Sequence, residues 1–245
     1  VSGRLLAGTS GFAYRSWVPL FYAAETRPSD LLRAYSARLP AVELNNTFYR
    51  QPRPEAIAGW LGQTPADFRF VIKAQRGGSW RAFSGPSRSA ETVAQTVEWL
   101  TAPYRLFGER LGSVLLGVPD NVKRDDESLA ALLEAWPVDL PLTIELRDES
   151  WQRDEVHALL VRHGAALCAT DLDDGPEPDL RRTGGHVYLR LRRSSYSPAA
   201  LAAWAARLQP FLDDGLYCYV FLRHDERGES AVQALRLMEL VGLER

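Results

Sequence analysis

Cysteine is scarce in this chain, with only Cys168 and Cys218 among 245 residues. Neither belongs to a CxxC pair, and both sit in apolar runs, LCAT and LYCYVFL. That pattern predicts two buried, reduced thiols and excludes a disulfide scaffold, so a cytoplasmic location is expected. Histidine is scarce too, at four residues. His157 and His163 fall in one predicted helix, and His186 opens a strand at the end opposite the expected site. Only His224 is well placed, so a zinc centre built on several histidines is hard to assemble. No apolar run approaches the roughly 18 residues needed to span a membrane, and the start shows no basic stretch leading into an apolar one. No membrane partner and no signal peptide are therefore expected. There is no GxGxxG turn and no Walker A sequence, and GTSGF has a serine between glycines without the GxSxG spacing. No cofactor is expected. The formal net charge of −2 argues against a generic polyanion-binding surface and leaves room for a local basic cleft.

What is present is an ordinary globular composition, 46% hydrophobic and 24% charged, at a length that suits one domain over residues 1–245. Short apolar runs alternate with amphipathic stretches. The predicted strands are RLLAGT from Arg4, AVELN from Ala41, FRFVIKA from Phe68, SVLLGV from Ser113, LTIEL from Leu142, ALCAT from Ala166, HVYLRL from His186 and LYCYVFL from Leu216. Several are apolar almost throughout, as when both faces of a strand are covered. About seven helices lie between them. Ser29 is expected to cap the first, with Pro40 stopping it, and Pro54 enters the next near its first turn. Gly164 and Gly242 sit where helix-terminating glycines belong. The polar segment DLDDGPEPDLRRTGG between ALCAT and HVYLRL is too broken for a helix. The fold class is thus α/β, a TIM-type (β/α)8 barrel with a degenerate sixth helix. The open doubly wound sheet is the alternative, and its usual glycine-rich turn is missing.

In such a barrel the site forms at the C-terminal ends of the strands. Four charges interrupt apolar strands: Glu43, Lys73, Glu145 and Arg190. An unpaired charge buried there costs several kcal/mol or shifts its pKa, so each needs a reason. Strands three, five and seven could bring Lys73, Glu145 and Arg190 together, while Glu43 and Asp171 come from even strands. The bland reading is a paired network that fills the barrel top and does no chemistry. The working reading is a metal-independent acid/base enzyme for a small anionic or phosphorylated ligand, a sugar or nucleotide derivative. Glu43 is its general acid or base beside Lys73, and Glu145 and Asp171 are further catalytic carboxylates. Lys73, Arg147, Arg190 and Arg192 hold the anion, Ser10 and Asn45 orient it, and His224 lines the site. A magnesium site from Glu43, Glu145 and Asp171 is the metal alternative. The aromatic-rich loop GFAYRSWVPLFY is expected mostly to plug the barrel mouth, with Tyr14, Trp17 and, after strand two, Tyr49 reserved for ligand contact. Nucleic acid binding by these aromatics and the nearby arginines is a rival reading, as are a metal-dependent isomerase or nuclease and a non-catalytic sensor.

In GTSGFAYRSWVPLFY, VELNNTFYRQP, FRFVIKA, ELRDESW, YLRLR and HDERGESAVQAL the chain resembles the domain of unknown function 72 family, also called YecE-like proteins. These segments run from Gly8 to Leu235. The resemblance implies a TIM barrel and, because the family has no established activity, leaves the reaction open. It carries over Gly8, Ser10, Gly11, Tyr14, Trp17, Phe21, Tyr22, Glu43, Asn45, Phe48, Tyr49, Lys73, Glu145, Arg147, Trp151 and Asp171. This chain departs from the family pattern elsewhere. GGSW follows Lys73 in place of a Thr-His pair, Gly117-Val118-Pro119 replaces Gln-Leu-Pro, and Asp148 replaces a histidine. Arg192-Arg193 stands for His-Gly, and Arg223 and His224 for asparagines. The departures imply either a more anionic ligand than the family's or a member that has lost catalysis.

Overall fold

Every predicted apolar run is a strand, and all the strands pair in parallel in the computed structural model, which describes residues 3–84 and 89–242. The predicted span 1–245 includes residues 1, 2, 85–88 and 243–245, which lie outside the described ones. The strands are β1 (Arg4–Thr9), β2 (Ala41–Leu44), β3 (Arg69–Lys73), β4 (Leu111–Gly117), β5 (Leu142–Glu145), β6 (Ala166–Asp171), β7 (His186–Leu191) and β8 (Tyr217–Leu222). Their order is β1-β8-β7-β6-β5-β4-β3-β2. The two ends of that sheet meet where Ser10 bridges Glu43 and the Gly11 N–H donates to the Glu43 carbonyl at 2.9 Å. Gly8 makes the seam close enough to form: a Cβ there would lie 2.0 Å from the Ala41 carbonyl oxygen. The result is a TIM-type (β/α)8 barrel.

Around it lie α1 (Leu31–Ser36), α2 (Pro54–Gln63), α3 (Arg76–Phe83), α4 (Ala90–Thr101), α5 (Asp126–Ala135), α6 (Asp154–His163), α7 (Pro198–Asp213) and α8 (Glu229–Leu240). Asp125 caps α5 through the Ser128 N–H, and Gly164 closes α6 in the left-handed conformation with φ 67°. Residues 172–185 form no helix, as the Gly- and Pro-rich segment between β6 and β7 predicts. Two helical expectations need correction. Ser29 sits inside a short 3-10 turn, Pro28–Asp30, rather than capping α1, and α1 ends at Ser36 before Pro40 can stop it. Helix α3 carries no clear helical signal in the sequence, because RGGSWRAF has two glycines and little apolar periodicity. Its start is marked by Gln75, whose side-chain oxygen accepts the Gly78 N–H.

Side chains alternate between the two faces of a strand. One parity packs against the helices as the large outer core. The other fills the barrel interior with Leu6, Ala41, Val71, Leu115, Cys168, Tyr188, Tyr219 and Phe221. Two residues further along, the same parity carries Glu43, Lys73, Thr170 and Arg190, so these polar groups form the layer above the apolar plug. At the opposite end a polar floor closes the barrel. Ser113 and Thr143 hydroxyls share a 2.7 Å hydrogen bond, and Thr143 meets His186 Nε2 at 2.8 Å.

Burial pushes His186 down to about 4, so it is neutral in the fold at neutral pH. An unfolded histidine titrates near 6.5. Its folded pKa is depressed, so stability is full above about pH 6.5 and is lost as pH falls toward 4, by about 3 kcal/mol in total. Denaturant melts across that window are expected to show this loss in the wild-type protein and a flattened profile in His186→Gln.

Candidate active site at the barrel mouth

Arg190 organises the layer above the apolar plug. It is 2% exposed, and its two terminal nitrogens reach opposite walls of the barrel. One donates to Glu43 Oε1 at 2.8 Å, the other to Glu145 Oε1 at 2.7 Å. Glu43 is fully buried and accepts from Ser10 Oγ at 2.8 Å and from the Tyr188 hydroxyl at 2.8 Å. Glu145 accepts from Thr170 Oγ1 at 3.2 Å and from Arg147 at 3.1 Å. Arg147 donates also to Asp120, and Arg192 donates to Ser10 Oγ at 3.0 Å. A continuous polar chain therefore crosses the mouth in the order Arg192, Ser10, Glu43, Arg190, Glu145, Arg147, Asp120.

This arrangement bears on the roles expected of the carboxylates. Burial opposes ionisation of Glu43, but Arg190, Tyr188, Arg192 and Ser10 outweigh it and hold the carboxyl below its ordinary value. Burial is likewise outweighed at Glu145 by Arg190 and Arg147, and its pKa falls to about 2. Carboxylates held ionised with their oxygens occupied are poor proton carriers. Glu43 and Glu145 each meet Arg190, and their remaining oxygens accept from Ser10, Tyr188, Thr170 and Arg147. Asp171 stands apart from them. It has the opposite parity to Thr170, and its oxygens accept from the Arg193 guanidinium at 2.8 Å and from the Tyr196 hydroxyl at 2.9 Å. Tyr196 belongs to the outer core, so Asp171 faces away from the mouth, and Thr170 is the β6 residue that reaches the site. The three carboxylates of the magnesium alternative do not converge here: Asp171 faces Arg193 and Tyr196, and Arg190 joins Glu43 to Glu145.

Lys73 is the exception in this crowded layer. It is half-buried, and among the described residues its ammonium makes no hydrogen bond and meets no carboxylate within 4.0 Å. Its Nζ lies 4.4 Å from the centre of the Phe48 ring. Burial and then Arg190 lower its pKa, against the opposing pull of Glu145 and Glu43. It lines a cavity of about 710 Å³ over the ends of β3, β4 and β5, together with Phe48, Arg76, Trp80, Asp120, Glu145 and Arg147. Helix α3 supplies one wall of this cavity, so missing it in the sequence meant missing Arg76 and Trp80. The signal available was the polar Gln75 closing an apolar strand, a capping residue for whatever follows.

The remaining candidates divide. Tyr14 and His224 stack at 5.0 Å with an interplanar angle of 9°, over the β1 and β8 side of the mouth. Burial and the nearby Arg192 and Arg223 lower the pKa of His224. Asn45 is half-buried with its Oδ1 unpaired. Tyr49 is 68% exposed and its ring packs edge-on against Phe48, which lines the cavity. Trp17 does not belong with them. It is wholly buried, donates from Nε1 to the Asp225 carbonyl at 2.8 Å, and packs on Tyr14, Phe21 and Tyr22. A ligand cannot reach it without unpacking the loop. Among the described residues no group of three His, Cys, Asp or Glu side chains is arranged to hold a metal ion, and no helix is long and apolar enough to cross a membrane.

Comparison with known proteins places these features in a family. The profile for "Protein of unknown function DUF72" matches residues 6–245. A crystal structure of a DUF72 family protein from Thermotoga maritima MSB8 superposes with a TM-score of 0.78 at 26% identity, covering 98% of this chain and 99% of that one. A second, from Enterococcus faecalis V583, gives 0.78 at 20% identity, covering 99% and 97%, and speaks to the fold alone. The UPF0759 protein YunF of Bacillus subtilis strain 168 is 29% identical over 134 residues, 53% of this chain and 47% of that protein. The match therefore spans about half the length of this curated relative.

Proposed function

The chain belongs to the DUF72 family of proteins of unknown function, and on that premise we propose that its barrel mouth binds and transforms a small anionic molecule without a metal, with Lys73 as the proton-transferring group. One observation carries the reading: the buried carboxylates are committed to arginines, and the lysine is left unpaired at the wall of a cavity. A half-buried cation without an anion is an energetic cost that a bound anion removes. Arg147 and Arg76 face the same space, and an arginine suits bidentate contact with a phosphate or carboxylate. A lowered pKa makes the Lys73 ammonium a readier proton donor, and its amine easier to form, than those of an exposed lysine. The cavity volume fits a metabolite, and the half-exposed ring of Trp80 in its lining offers a face for a sugar or base.

The test is thermal stabilisation by inorganic phosphate, sugar phosphates, nucleotides and small carboxylic acids. A ligand at about 100 times its Kd adds about 2.7 kcal/mol to the folded state, a rise of roughly 5–10 °C for a chain of this size. Arg147→Met is expected to weaken binding on the order of tenfold, the loss of one charge-assisted pair. A panel in which no phosphate or carboxylate compound stabilises the protein would sink the reading.

A second reading has its own observation. Tyr49, Trp80 and Trp99 are all exposed, with Arg81 stacked 4.4 Å over Trp99 and Arg76 6.0 Å from the Tyr49 ring. Such arginine–aromatic pairs suit stacking on single-stranded nucleic acid. Strong, salt-dependent binding of an oligonucleotide that is lost in Trp80→Ala would favour it over a small-molecule site.

A further inference from the structure

Resting on the anion-pocket reading above, we propose that Lys73 forms a covalent imine with the carbonyl carbon of a small anionic aldehyde or keto acid bound in the cavity over β3, β4 and β5. The first ground is the choice of residue. Of the 29 basic residues only Lys73 and Lys123 are lysines. The other cations in and around the mouth, Arg76, Arg147, Arg190, Arg192 and Arg223, are arginines. A guanidinium holds an anion at least as well as an ammonium does, and only the lysine has a nitrogen that can become a nucleophile.

Geometry is the second ground. Among the described residues Nζ has no hydrogen-bond acceptor and no carboxylate within 4.0 Å, so no ion pair must be broken before it attacks. It stands over the Phe48 ring and opens into the cavity shared with Arg147. The charged groups that face it are Arg190 from β7, Glu145 and Arg147 from the β5 end, and Glu43 from β2. Burial and then Arg190 lower its pKa against the opposing pull of Glu145 and Glu43, which makes the amine easier to free than that of an exposed lysine. Glu145 and Glu43, held ionised by Arg190, supply the field that a cationic imine requires once it forms.

The step balances without an oxidant. The Nζ lone pair attacks the carbonyl carbon, forming a C–N bond, and the C=O π pair moves to oxygen, which takes a proton from nitrogen. The carbinolamine then loses that oxygen as water, and the nitrogen lone pair closes the C=N bond. One proton from solvent leaves the imine cationic, restoring the charge the ammonium carried. The substrate's own carboxylate or phosphate rests on Arg147.

The test uses the intact protein with pyruvate and cyanoborohydride near neutral pH, read by intact mass and peptide mapping. The expected result is that, of the two lysines, Lys73 carries the reduced adduct, exceeding that at the exposed Lys123 on the order of tenfold. Inorganic phosphate in excess is expected to suppress it, and acetone, the neutral counterpart, to label Lys73 far more weakly. Lys73→Arg keeps the charge and is expected to retain phosphate stabilisation while losing the adduct. Equal labelling of Lys73 and Lys123, or none at Lys73, overturns the imine. If phosphate still stabilises the protein in that case, the covalent step alone is wrong; if it does not, the anion pocket falls too. Labelling by acetone as strong as by pyruvate overturns the anionic substrate class.

Discussion

Arg190→Met is expected to lower the stability of this protein by about 3–5 kcal/mol, the cost of leaving buried charges without their partner. For a chain of this size that is a fall in melting temperature on the order of 10 °C. The guanidinium joins two carboxylates that are 0% and 2% exposed, and removing it leaves both Glu43 and Glu145 ionised against hydrocarbon or forces them to take up protons. Adding Glu43→Gln and Glu145→Gln to Arg190→Met should therefore recover part of the loss, since uncharged amides replace stranded anions. A variant with no recovery would mean that the arginine acts through packing alone. The acid limb of the wild-type profile carries the same information. The folded pKa of Glu145 is depressed to about 2, and an unfolded glutamate titrates near 4.3. Its contribution is present above the unfolded value and disappears as pH falls toward 2, about 3 kcal/mol in total. In Arg190→Met that limb should flatten. It lies below the pH 4–6.5 window assigned to His186, so the two titrations separate. Buried ion networks are not in themselves strongly stabilising, which directs attention to what this one positions. It holds Arg147 at the cavity wall and keeps two carboxylates from pairing with Lys73.

Trp17→Ala is expected to cost about 3–5 kcal/mol, the range for truncating a large buried aromatic. Trp17 is wholly buried, and its indole N–H satisfies the carbonyl of Asp225, tying the loop after β1 to the segment after β8. The change would open a void between Tyr14, Phe21 and Tyr22 and leave that carbonyl unpaired. Tyr49→Ala is the contrast. Tyr49 is mostly exposed, so its loss should leave stability within about 0.5 kcal/mol while weakening any ligand that uses the rim. Denaturant melts of both variants, run beside phosphate titrations, separate the two roles. A Trp17→Ala protein as stable as wild type but unable to bind would return Trp17 to the ligand site.

Much of the barrel was legible because its strands advertise themselves. Runs such as RLLAGT and HVYLRL are too short for helices, too apolar for loops and spaced for crossovers, and the observed β1 and β7 coincide with them. The broken segment before β7 was equally plain from its glycines and prolines. Helix α3 was not legible, since its stability comes from packing that two glycines conceal. The site showed the same division. Charges inside apolar strands marked Glu43, Lys73, Glu145 and Arg190 as a set, but strand number set Glu43 apart from the other three, and only the structure joins it to them through Arg190. The parity of Asp171 could not be read, because both faces of β6 are covered and hydrophobicity no longer alternates along it.

By itself, then, the sequence determined the alternation of strands and helices, the degenerate unit before β7, and the positions where ionisable groups enter apolar strands. Those follow from local chemistry: propensity, periodicity, and the cost of a lone charge in hydrocarbon. Only the tertiary structure decided how the charges pair. The reach of one arginine across the barrel commits both glutamates and leaves a lysine unmatched at the cavity wall. Pairing depends on distances between strands far apart in the chain, and no spacing along the chain encodes them.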